Sequence, residues 1–282
     1  MSEVEAVYSQ NARTHPGFIR PVRALAKEII ERRWHIWISF KRDFSAAHAG
    51  AGFGMVWNFV LPLIPIMVYS MLAIVGFFAS DRGGMAPAVF VSTGATFWFL
   101  FTGATTRPMQ AVQKNYKSIA TTSYPLIGIV AASFGHLLFE FTIRITATLL
   151  IYIVVVKTVP VYALFAIVAA IPAFIFFFSL GLTFSILNMI YSDVSRLLQM
   201  FLAYMIFVSN VIIPVDRVQV FAEIAKYNPF AIYITNIRNI YAYGAFKTLD
   251  SYLIVSAIGI IILLLSARLF YVMEWRIRSH AL

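Results

Sequence analysis

Six apolar stretches, each close to or longer than the roughly 20 residues that carry a helix across a bilayer, constrain this chain more than any other feature. They cover residues 55–79, 87–106, 125–156, 161–191, 197–213 and 252–273. The first is followed by a short polar turn, Ser80-Asp81-Arg82-Gly83-Gly84, and the third is overlong and carries Glu140 and Arg144. Pro62, Pro65 and Pro172 fall inside these stretches, and neighbouring helices can satisfy the backbone groups that proline frees. With 61% hydrophobic and 12% charged residues, the 282-residue chain lies far from the soluble norm of about 25% charged. The expected fold is an all-α integral membrane protein of six transmembrane helices, one membrane domain over residues 50–275. No internal repeat is evident, so nothing supports the inverted-repeat plan of secondary transporters.

Charge sets the expected orientation. Of the lysines and arginines, about 15 gather on the side holding both termini, the 107–124 loop and the 191–196 turn, against about 6 on the other. Both termini are therefore expected in the cytoplasm. The net charge of +10 sits beside apolar runs, which suits anionic lipid headgroups and excludes a nucleic-acid partner. No secretory leader is expected, because roughly the first 50 residues are polar or amphipathic. The absence of cysteine excludes disulfides, thiolate metal sites and a thiol nucleophile.

After a tail over residues 1–19, residues 20–44 follow helical periodicity. Val22, Leu25, Ala26, Ile29, Ile36, Trp37, Phe40 and Phe44 share one face, with charged residues over most of the rest. This predicts one amphipathic helix lying in the interface among membrane lipids. Its mixed-sign face, with Glu28, Glu31, Arg32 and Arg33, also suits a cytoplasmic partner; pure lipid binding needs no carboxylates.

Between the last two stretches, residues 214–250 hold two amphipathic pieces joined by Asn228-Pro229. Each is too short to cross a bilayer, and they are expected to form re-entrant or gate helices at the mouth of a pathway. Asn228 should cap the second, with Pro229 in its first turn.

Catalytic signatures are missing. There is no G-x-x-x-x-G-K-[ST], so ATP cannot bind through a P-loop; Gly50, Gly52 and Gly54 lack the following lysine. The five histidines are scattered and predict no metal site. No catalytic residue and no cofactor are expected in the chain itself. One buried polar constellation remains, His136, Glu140 and Arg144 at successive i+4 steps. It reads either as a neutralised packing pair with its histidine or as a proton relay.

These features together resemble the membrane subunits of ABC-2 type polysaccharide exporters, the capsular polysaccharide and O-antigen export permeases. The resemblance rests on GFGMVWNFVLP at the first span (Gly54, Trp57, Pro62), the LNMIYSDVSRLLQ turn (Leu187, Asn188, Asp193, Val194) and KYNPFAIYITNIRNIYAYG (Asn228, Pro229, Arg238). It implies a multi-pass protein of the bacterial inner membrane that pairs as a homodimer. Two copies of a separate nucleotide-binding ATPase would carry ATP and magnesium, and a periplasmic export adaptor is a further partner of such systems. Spans one and five would line a path for polysaccharide, with Trp57, Phe59, Tyr69, Tyr204 and Phe207 offering rings to sugars. Asn228, Pro229, Tyr233 and Arg238 would form an external gate. Glu28, Glu31, Arg32, Arg33, Gln113, Lys114, Asn115 and Lys117 would meet the ATPase. The alternatives are an ABC-2 exporter of a lipid, drug or teichoic-type polymer, an ion-coupled secondary transporter using Glu140 and His136, and a membrane-embedded enzyme or structural subunit.

Overall fold

The computed structural model describes residues 17–47, 52–76, 84–121, 125–215 and 219–281, and the side chains of 116–121 and 275–281 lie outside what it describes. Among the described residues the fold is all-helical. Its helices are α1 (Ile19–Glu31), α2 (Arg33–Ala46), α3 (Trp57–Ile74), α4 (Pro87–Thr121), α5 (Leu126–Val156), α6 (Ala163–Ile190), α7 (Val194–Val208), α8 (Gln219–Tyr227), α9 (Pro229–Tyr243) and α10 (Leu249–Ala281). A 3₁₀ turn at Gly54–Val56 leads into α3.

Five helical stretches are long and apolar enough to cross a membrane: Gly54–Ile74, Pro87–Asn115, Leu126–Val156, Ala163–Ile190 and Leu249–Glu274. The fifth expected span, Leu197–Ile213, is instead the 15-residue helix α7, about 22 Å long. It stops because the chain turns at Ser209 and Asn210, the latter with φ of 57°.

Helix α4 is the axis of the molecule: 89% of its apolar window is buried, against 22% for the stretch containing α3. It crosses α6 at Gly181, where a Cβ would stand 2.6 Å from the Ala104 carbonyl oxygen and 3.0 Å from Pro108 Cγ. An aromatic ladder joins α4, α6, α9 and α10. Phe101 lies 5.1 Å from Phe177, Phe177 stacks on Phe230 at 4.1 Å, and Tyr233 meets Tyr252 edge-on at 5.5 Å.

Two further boundaries differ from the sequence expectation, each for a local reason. The second span does not end at Thr106. Helix α4 runs on to Thr121 through Pro108, which removes one ladder bond, because the helix packs against α6 at Gly181 there and Gln110, Ala111, Gln113 and Lys114 beyond it are good helix formers. The amphipathic helix is two helices, kinked at Arg32 (φ −100°, ψ 15°). Helix α1 also does more than float at an interface. Its Leu25 belongs to the buried cluster that also holds Val112, Leu126, Leu182 and Phe270, and the helix lies against α5 and α10 at one end of the bundle. Helix α2 lies along α5, its Phe40 against Gly135 and its Phe44 edge-on to Phe139 at 4.8 Å. Residues 1–16 of the expected tail lie outside the described residues.

Candidate functional site

Two polar nodes sit at opposite ends of the bundle. At the α1 end, Glu140 accepts from Arg144 Nη2 at 3.1 Å, one turn along α5, and also from Arg107 Nη2 on α4. The sequence offered a pair; the fold makes a carboxylate held between two guanidinium groups. Arg144 is buried and its guanidinium carbon lies 4.9 Å from the centre of the Phe99 ring. His136 meets the rings of Phe40 and Phe44 at 5.0 and 5.8 Å. No hydrogen bond joins it to Glu140 among the described residues.

Depth follows from length. At 1.5 Å per residue, about 20 residues span the roughly 30 Å hydrocarbon core. Counted from the far ends, Pro87 on α4, Val156 on α5 and Leu249 on α10, that distance reaches about residue 107, 137 and 268. Arg107, the His136–Glu140 turn and Arg268 therefore share one level, the membrane edge at the α1 end. Counted along α5 from His136 at that edge, Glu140 lies about 6 Å and Arg144 about 12 Å further in, so Arg144 is well within the apolar slab and its pairing with Glu140 offsets the cost of burying it.

Beside this node a cavity of about 810 Å³ opens between α2, α4 and α5, lined by His35, Arg42, Asp43, Arg107, Lys114 and His136 among others. Two of the four α4 residues expected to meet a partner make internal hydrogen bonds. Asn188 Nδ2 donates to Gln113 Oε1 at 3.2 Å, and Asn115 Nδ2 donates to the Ala111 carbonyl at 2.8 Å. Lys114 faces the cavity, and the side chain of Lys117 lies outside the described residues. On α1 and α2, Glu31 and Arg33 are exposed and Glu28 and Arg32 half-buried; Glu31 pairs with Lys27 at 3.6 Å.

The opposite node closes the turn after α7. Asn228 caps α9 by accepting from Phe230 N at 3.0 Å, with Pro229 in the first turn. The same amide donates back to the Val208 carbonyl and to Ser209 Oγ at 3.2 and 2.9 Å. Arg238 donates through Nη2 to the carbonyls of Asn210 and Val211 at 2.6 and 3.2 Å, its guanidinium carbon 3.6 Å from the centre of the Phe90 ring. Asn210 Oδ1 accepts from Val215 N at 3.3 Å. A buried non-helical segment must satisfy its backbone groups, and these three side chains do so. The residues expected at an external gate are thus interior: Asn228, Tyr233 and Arg238 are each at most 5% exposed. Tyr233 is within reach of Ser256 Oγ at 3.3 Å, whereas Tyr227 and Tyr243 lie at the exposed ends of α8 and α9.

The five expected path residues do not meet within one protomer. Trp57 lines a small cavity with Glu140 and Arg144, Phe59 faces a groove between α3 and α5, and Tyr69 packs on Phe90 and Val91 of α4. Tyr204 and Phe207 are exposed on α7. The sequence reading placed Arg107 in a loop and gave no role to three other polar residues, of which Asn188 was named only as part of a motif. Asn236 accepts from Lys247 N and Thr248 N ahead of α10, Asn188 accepts from Ser195 N, and Glu274 accepts from Leu126 N at 2.8 Å. An asparagine or glutamate that interrupts an otherwise apolar run is the signal that could have found them.

Compared with known proteins, residues 35–242 match the profile of the ABC-2 type transporter family, about three-quarters of the chain. No curated protein gives a significant match.

Proposed function

The chain belongs to the ABC-2 type transporter family, the membrane component of ABC transporters that works with an ATP-binding subunit, and from that premise we propose that it exports a polysaccharide. In this reading two copies pair in the bacterial inner membrane, with both termini in the cytoplasm and two ATPase subunits beneath them. A capsular or lipid-linked glycan passes between the protomers. ATP and magnesium stay on the partner, consistent with a sequence that contains no P-loop.

The observation that carries the reading is the outward face of α7. Leu197, Met200, Phe201, Tyr204 and Phe207 form one exposed stripe, while Ser195, Leu198, Leu202 and Ile206 on the opposite face are buried. Aromatic rings stack on the apolar faces of sugars without demanding a fixed hydroxyl pattern, which suits a polymer that slides. Helices α1 and α2, with Glu28, Glu31, Arg32 and Arg33, and the end of α4 beyond Gln113, supply the ATPase-facing surface. The Asn228–Arg238 node keeps the turn after α7 in one shape at the far mouth.

The test is export by the chain with its co-expressed ATPase. Tyr204→Ala combined with Phe207→Ala should cut surface glycan at least about tenfold while ATPase copurification stays as in the wild type. Wild-type glycan in that double variant would remove α7 from the path. The purified chain alone should hydrolyse no ATP.

A further inference from the structure

Three cavities follow one another along α5. The chamber of about 810 Å³ between α2, α4 and α5 shares His136 with a small cavity of about 130 Å³ that reaches Asn58, Glu140 and Arg144. That cavity shares Phe139 with a groove of about 520 Å³ between α3 and α5, walled by Phe59, Leu63, Met67, Ile143 and Leu150. Chemistry changes in the same order. Around the chamber and neck, Arg42, Arg107, Lys114 and Arg144 outnumber Asp43 and Glu140; the groove beyond carries no charged side chain. The length fits too. From Phe139 to Leu150 is about 16 Å along the helix, close to the roughly 15 Å of hydrocarbon in one leaflet.

We propose that a lipid with an anionic phosphate headgroup occupies this series, its phosphate in the chamber and one tail in the α3/α5 groove. The chamber lies at the level of the membrane edge, where headgroups are. Arg107 gives Nη2 to Glu140, and its other donors remain for a second anion. The groove between α5 and α6, about 370 Å³, lacks this character: all its lining side chains, from Ile29 to Phe178, are apolar, so it offers a tail no headgroup contact. A lipid seated along α3 and α5 would tie α2 to the bundle by filling the space beneath it.

The experiment is native mass spectrometry of the full chain, delipidated in detergent and titrated with palmitoyl-oleoyl phosphatidylglycerol. The same titration uses the diacylglycerol with identical tails and, separately, inorganic phosphate. One phosphatidylglycerol should stay bound where the diacylglycerol does not. Arg42→Glu in the chamber should weaken it about tenfold. Thr146→Trp, filling the groove from a position whose hydroxyl bonds only its own helix, should weaken it comparably. Both variants are checked by circular dichroism and gel filtration; if either misfolds, the wild-type comparison of the two lipids decides. Equal retention of the diacylglycerol, or unchanged binding in two folded variants, overturns the proposal. Displacement by inorganic phosphate at a concentration similar to the lipid also overturns it, because the site would then hold a free anion. Binding is read without ATP or transport, so failure here leaves the export reading standing, and failure of export leaves this site standing.

Discussion

Gly94 stands where any side chain would collide with Arg238: a Cβ there would lie 2.2 Å from Nη2 and 2.7 Å from the Val211 carbonyl oxygen. Gly94→Ala should therefore push the guanidinium off the two carbonyls that it satisfies. Overpacking and a lost buried hydrogen bond together cost about 2–3 kcal/mol, roughly 5 °C or more in the unfolding midpoint measured by fluorescence. An unchanged midpoint would mean that Arg238 is not the strut of the turn after α7. Glu140→Gln tests the other node. It leaves two cations with one neutral acceptor, and should lower stability by about 2 kcal/mol, discounted from a fully buried case because Glu140 is a quarter exposed. If Glu140 only ties α4 to α5, transport falls with the amount of folded protein and its pH profile keeps its shape; a shifted profile in well-folded protein would revive the relay. The i+4 stripe of His136, Glu140 and Arg144 was readable from the sequence because it is local to one helix. Arg107 was not, since nothing in its neighbourhood tells which residue of α5 it will face.

Elements were legible where hydropathy alone decides them and illegible where a helix leaves the apolar slab. Apolar runs predicted α5 and α6 within a few residues and α3 within about five, but hydropathy stops at Thr106 while α4 continues as a helix to Thr121, and at Met273 while α10 continues to Ala281. The shortening of α7 was hidden for the opposite reason: Val211, Ile212 and Ile213 read as span, and only the buried asparagine and arginine partners allow the chain to turn there. Periodicity likewise showed that α1 is amphipathic without telling what its apolar face touches. Leu25→Glu against Ile30→Glu separates the face packed on the bundle from the face turned away from it, since Leu25 is 5% exposed and Ile30, on another side of the helix, is 62% exposed. Leu25→Glu loses about 2–3 kcal/mol of burial and forces a carboxylate into an apolar pocket, so α1 should come away and protease cleavage near Arg32 should speed markedly. Ile30→Glu should leave cleavage unchanged. Equal cleavage of both would place α1 on lipid alone.

For the whole molecule, the distribution of burial says what a single copy leaves open. Helix α4 is enclosed, and α6, α9 and α10 close around it, yet α3 and α7 each lean on α4 and present an apolar face outward. Lipid can cover such faces, so exposure alone does not decide between lipid and a second copy. Position does. In a two-fold pair, residues near the axis meet their own counterparts, whereas lipid-facing residues elsewhere do not. Because the chain contains no cysteine, one introduced thiol reports one position. Tyr204→Cys, 70% exposed on α7, should give a dimer band on brief treatment of native membranes with a short bis-maleimide, and Phe165→Cys, 64% exposed on α6, should not. Labelling each variant with a mono-maleimide gives the reaction rate of its thiol, and a dimer contrast at matched labelling reports proximity to a second copy. Equal dimer yields would indicate random collision in the bilayer, and the path between protomers would lose its physical basis.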